Sequence, residues 1–149
     1  MATNRCPLNF KRTETVYGTG FAAEVEIQGR VLAVHEEDGF WFYGVRPAAV
    51  AAFGATPDEG YLAFREAIRN SLCNLAELAG SLGEFQEAVS RFMSDSDQDI
   101  EGEWALAVAE VRSGQVEATG IKRGSAETPW AVSVRVAENE YAREAVLAA

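Results

Sequence analysis

The chain contains one histidine, His35, and two cysteines, Cys6 and Cys73. A lone imidazole cannot build a multi-histidine metal site, and it reduces Ser-His-Asp and Cys-His arrangements to a single unsupported member. The cysteines sit in no CxxC or Cys/His pattern, so neither a disulfide framework nor a zinc site is expected. Cys73 falls one helical turn from Arg69 with no base in the sequence to take its proton, and is read as an inert thiol. Carboxylates gather at Asp95, Asp97, Asp99, Glu101 and Glu103. Their alternation has the look of a calcium loop, but Ile100 stands where the sharp-turn glycine belongs and Leu106 where the twelfth-position glutamate belongs. The glycines form neither a P-loop nor a dinucleotide-binding fingerprint between a strand and a helix. The residue inventory predicts no catalytic group, no metal and no cofactor.

Charge narrows the partners. The chain has 13 Lys and Arg against 23 Asp and Glu, a formal charge of −10 over 149 residues. Long-range attraction to phosphate backbones or anionic lipid is therefore unfavourable, and a basic protein is the favoured partner. Basic residues are scattered among carboxylates without an aromatic-lined groove, so nucleic acid is not expected as a ligand. No apolar run approaches the ~18 residues of a membrane span, and residues 1–15 lack the apolar region of a signal peptide. A cytoplasmic protein without a membrane anchor is expected.

The elements that must position these groups follow from periodicity. Residues 1–15 read as a polar leader. Phe21 to Gln28 alternates as a half-buried strand, and the runs 30–37 and 40–46 flank Asp38-Gly39, a pair suited to a type I′ hairpin turn. Counting back from that turn sets His35 opposite Phe42 and Val34 opposite Tyr43. One face then carries Leu32, Val34, Trp41, Tyr43 and Val45; the other carries Ala33, His35, Phe40, Phe42 and Gly44. The first is taken as the domain core. The second, also apolar, is covered either by the chain's own C-terminal strands or by another molecule.

A short edge strand is predicted around 50–53. Thr56-Pro57-Asp58-Glu59 has the form of a capping box with proline at the first helical position. Phe64, Ile68, Leu72, Leu75 and Ala79 continue at helical spacing, and Gly80 is expected to stop this long helix in a left-handed conformation. Ser81 to Glu84 repeats the capping logic for a shorter second helix ending near Met93. Residues 95–103 read as an acidic linker. Residues 104–112, 115–121 and 130–136 read as strands and 138–147 as a helix, a β-rich extension that either stands apart or completes the first domain. The expected fold is α+β: an antiparallel sheet of three or more strands packed on a long helix and a shorter one, with residues 16–94 as the main domain.

The order of elements from Val31 to Leu75 resembles the HicB-like antitoxin domain. The resemblance rests on Glu37-Asp38-Gly39 with Phe40 to Val45, on Pro47, on Phe53-Gly54-Ala55-Thr56, and on Pro57-Asp58-Glu59 with Ala63, Ala67 and Ile68. It covers about a third of the chain. It implies a truncated ribonuclease H-like fold and an antitoxin that occludes a small basic ribonuclease of the HicA type, usually as a homo-oligomer. Such domains lack the metal-binding carboxylate cluster of true ribonuclease H, and the hairpin strands here carry no inward Asp or Glu for two metal ions. Family members often append a DNA-binding module; Trp130 to Val136 followed by 138–147 looks like the strand and first helix of a ribbon-helix-helix, but Arg135 is the sole basic residue on that strand. The expectation is a non-enzymatic interaction protein whose partner-binding residues are His35, Phe40, Trp41 and Phe42. The alternative is a stand-alone structural or adaptor domain that homodimerises through the apolar hairpin face.

Overall fold

The computed structural model describes residues 5–113 and 131–136. Strand β1 (Arg5–Gly18) pairs antiparallel with β2 (Phe21–Glu36) along its whole length, from Arg5↔Val34 to Gly18↔Phe21. The segment expected as a polar leader is thus, from Arg5 onward, a strand. Its apolar period is broken because Arg12 and Glu14 share the inward face with Phe10 and Val16 and neutralise each other there at 2.7 Å. The two predicted runs 21–28 and 30–37 are one continuous strand, β2.

Strands β3 (Gly39–Arg46) and β4 (Ala51–Gly54) extend the sheet in the order β1-β2-β3-β4. Strand β5 (Ala131–Val136) pairs with Ala23 to Gln28 of β2, on the stretch that β3 leaves free. Every pairing is antiparallel. The predicted strand 115–121 and helix 138–147 lie outside the described residues.

The β2–β3 turn is Glu37-Asp38, not Asp38-Gly39: His35 is opposite Phe40 and Val34 opposite Trp41. A type I′ turn needs positive φ at both central residues, and here only Gly39, at φ +157, is positive. Gly39 opens β3 because a Cβ there would lie 2.6 Å from the Phe53 ring and 2.5 Å from the Gly54 carbonyl oxygen. The register has moved by two residues, which preserves the side-chain parity, so the two faces keep their predicted membership.

Helix α1 (Pro57–Leu78) begins as expected, with the Glu59 N–H donating to Thr56 Oγ1 at 3.2 Å. Its end differs. Ala79 caps it in extended backbone and Gly80 is not left-handed; instead the Gly80 N–H donates to Glu84 Oε2 at 2.7 Å, so the glycine serves the start of α2 (Leu82–Ser94). The Glu84 N–H in turn donates to Ser81 Oγ. Residues 94 and 95 are pinned to the hairpin end, through Arg46 Nη1 donating to the Ser94 carbonyl at 2.6 Å and Ala48 N–H to the Asp95 carbonyl at 3.3 Å.

The acidic linker and the strand 104–112 are replaced by a third helix, α3 (Gln98–Arg112), capped by Asp97, whose Oδ1 accepts from the Asp99 and Ile100 amides. The buried set Trp104, Ala107, Val108 and Val111 is helical in spacing. Ala105, Leu106 and Ala109 on the exposed side are small or apolar too, which made the run look like an alternating strand.

Two apolar clusters result, one on each face of the sheet. The larger joins Phe10, Val16, Val25, Ile27, Val31 and Phe42 to Phe64, Ile68, Leu72 and Ala76 of α1 and to Phe85, Val89 and Met93 of α2. The smaller joins Leu32 and Val45 to Trp104, Ala107 and Val108 of α3. The main core therefore lies on the Phe40/Phe42 face, opposite to the face expected, because α1 returns over that side and Gly60 in its first turn lets it sit against Phe42. A Cβ at Gly60 would approach the Phe42 ring to 2.7 Å. The α+β class with a long and a shorter helix stands; of the expected β-rich extension, 104–112 is helical instead, while 131–136 is a strand as expected. No described helix is long and apolar enough to cross a membrane.

Candidate functional site

Helix α3 covers only part of the outer sheet face. Beyond it, the alternation of β3 and its pairing with β4 bring Trp41, Tyr43 and Phe53 together, since Trp41 is opposite Phe53 and Tyr43 opposite Ala51. The Trp41 and Tyr43 rings stack with centroids 5.7 Å apart and planes at 13°, and Phe53 leans on Trp41 at 5.3 Å. Phe53 is 37% exposed, while Trp41 and Tyr43 are half-buried. Three aromatics in contact on an open face form a continuous apolar surface, unlike an isolated exposed side chain.

Its rim is acidic. Tyr43 Oη donates to Glu36 Oε1 at 3.3 Å. Burial pushes the Tyr43 phenol above the ordinary tyrosine range, and the carboxylates of Glu36 and of Glu103 on α3 add to the effect. Aromatic faces bordered by carboxylates suit a cation that can stack on the ring and pair with the acid at once, above all a guanidinium. Arg30 and Arg46 have such roles inside the chain. Arg30 lies over the Trp104 ring at 4.9 Å, and Glu101 reaches both Arg46 at 3.0 Å and Arg30 at 3.7 Å. With Arg5 to Glu110 at 3.1 Å, these pairs hold α3 against the sheet from both ends.

The four residues expected to bind a partner do not share a surface. Phe42, 3% exposed and with its ring 6.0 Å from that of Tyr61, is core. Phe40 is half-buried at the margin of the same cluster, with exposed His35 stacked on it at 4.4 Å. The apolar face around Phe40 and Phe42 is therefore covered by α1, and of the four only Trp41 belongs to the aromatic surface. Tyr43, Phe53 and Glu103 were missed as site residues. The parity of β3 already paired Trp41 with Tyr43, but Glu103 could be placed only by recognising Asp97 as a helix cap.

The remaining chemistry is quiet. Among the described residues no cluster of three His, Cys, Asp or Glu side chains could hold a metal ion. Burial raises the Cys6 thiol above its ordinary pKa, the opposite of what a thiolate nucleophile needs. Ser71 Oγ is engaged with the Ala67 carbonyl at 2.9 Å. Asp97, within the acidic run, serves as a cap. A shallow groove between α1 and α2, lined by Leu75, Leu78, Ala88 and Arg91, brings no nucleophile to a base. No family model, no curated protein and no solved structure matches the chain.

Proposed function

We propose that this is a non-enzymatic, HicB-like interaction protein that captures a small basic ribonuclease toxin of the HicA type on the Trp41–Tyr43–Phe53 surface and blocks it by occlusion. The observation that carries the proposal is that aromatic surface, open to solvent, with Glu36 on its rim and the charge of Glu103 acting on Tyr43. Buried aromatic anchors supply most of the energy in protein contacts, and a carboxylate rim selects a cationic partner and speeds its approach. The charge of −10 acts in the same direction. It also disfavours self-association through this patch, since a second copy would bring its own acidic rim. The succession β2-β3-β4-α1, an antiparallel sheet followed by the long helix that packs on it, supports the HicB-like reading of residues 31–75.

The test is calorimetric titration with a purified basic HicA-type toxin. Combined Trp41→Ala, Tyr43→Ala and Phe53→Ala is expected to weaken binding by ~30-fold or more, the equivalent of about 2 kcal/mol. Glu36→Lys with Glu103→Lys is expected to weaken it further at low salt than at high salt. Unchanged affinity in a triple variant with a native circular dichroism spectrum would remove the surface from the proposal. Absence of binding by the wild type would remove the toxin.

A further inference from the structure

A strand at the end of a sheet leaves one row of backbone N–H and C=O groups to water or to another chain. Among the described residues β1 pairs with β2 alone, along all 14 of its positions, whereas β4 at the opposite end has 4 residues. β1 also inverts the charge of the molecule, with Arg5, Lys11 and Arg12 against Glu14. Two of these charges point inward. Arg12 and Glu14 lie opposite Ile27 and Val25 on the core side of the sheet, and Glu14 is only 9% exposed. The Arg12 Nε is buried without an acceptor.

Inward charge usually guards an edge strand, because an incoming copy brings the same charge to the same place. A plus and a minus two residues apart do the reverse. When two β1 strands meet antiparallel about a two-fold axis through Thr13, Arg12 falls opposite the partner's Glu14, and Glu14 opposite the partner's Arg12. Phe10 then meets Val16 and Lys11 meets Thr15, while Thr13 meets its own copy in a favourable cross-strand pair. Axes through Arg12 or Glu14 would stack like charges instead. Parity is kept, so the inner faces of the two sheets lie on the same side, as an isologous contact requires.

We infer that the protein is a homodimer joined by its two β1 edges about Thr13, with Arg12 and Glu14 of both copies closing a four-membered ion-pair ring. The joined edge is separated from Trp41 by β2, so the dimer leaves the aromatic surface open and does not depend on its proposed role.

Light scattering of the full chain over a dilution series should give the mass of a dimer; a monomer at every concentration overturns the inference. Arg12→Glu and Glu14→Arg are each expected to be monomeric. Mixed in equal amounts they should form a heterodimer, because opposite charges again face each other across the axis. Where a single variant is unfolded, recovery of the native circular dichroism spectrum on mixing is the supporting result. A single variant that dimerises like the wild type, or a mixture that stays monomeric or unfolded, overturns it.

Discussion

The two faces of the β2–β3 hairpin are both apolar and meet opposite fates. On the inner face Phe42 is sealed under α1 and Phe40 is half-covered. On the outer face α3 seals Leu32 and Val45 and stops short of Trp41 and Tyr43. The inner helix has 22 residues and the outer one 15, and α3 is held by ion pairs as well as by its smaller cluster. Hydrophobicity of a strand face thus predicts that something will cover it, whereas the length and placement of a distant helix decide how much is left open.

The largest effect should come from matched truncations on the two faces. Phe42→Ala is expected to lower unfolding stability by about 3–5 kcal/mol, since it opens a cavity beneath α1. Trp41→Ala is expected to cost under about 1 kcal/mol while weakening the proposed partner binding. Denaturant melts of the two variants measure this directly, and equal losses would mean that the faces do not differ as described.

A smaller effect is expected where α3 is held. Glu101→Gln removes the carboxylate shared by Arg30 and Arg46. The groups are partly exposed, so solvent screening limits the loss to about 1–2 kcal/mol. Hydrogen exchange should quicken in the amides of α3 and not in the β1–β2 ladder; uniform acceleration would show that α3 is no separate cover.

The smallest concerns the aromatic rim. Because the folded state holds the Tyr43 proton more tightly than the ordinary value of roughly 10, its contribution to stability is complete below that value and is lost as pH rises through the folded-state pKa. Ultraviolet titration should detect the late ionisation of Tyr43, and Glu36→Gln should bring it partway back. A titration identical in the variant would separate Glu36 from the phenol.

Much was legible because its causes are local. Thr56 and Ser81 cap helices where their sequence neighbours predict, since a cap satisfies amides only three residues away. The parity of the hairpin survived an error of two residues in register, because side chains alternate with period two. Residues 98–112 were misread because Ala105, Leu106 and Ala109 fill the gaps between the buried positions and mask the helical period. β1 was missed because its inward ion pair replaces the apolar residues that mark a strand.

The sequence by itself determined which residues form strands in the hairpin, which side chains share a face, where α1 and α2 begin, and that the surface is acidic. These follow from interactions spanning a few residues or from simple charge counts. Tertiary structure decided which hairpin face became the core, that the Glu103 charge acts on Tyr43, and that Trp41 rather than Phe42 meets solvent. Those outcomes depend on how helices remote in sequence fill space on either side of one sheet, and no local pattern encodes the volume they leave uncovered.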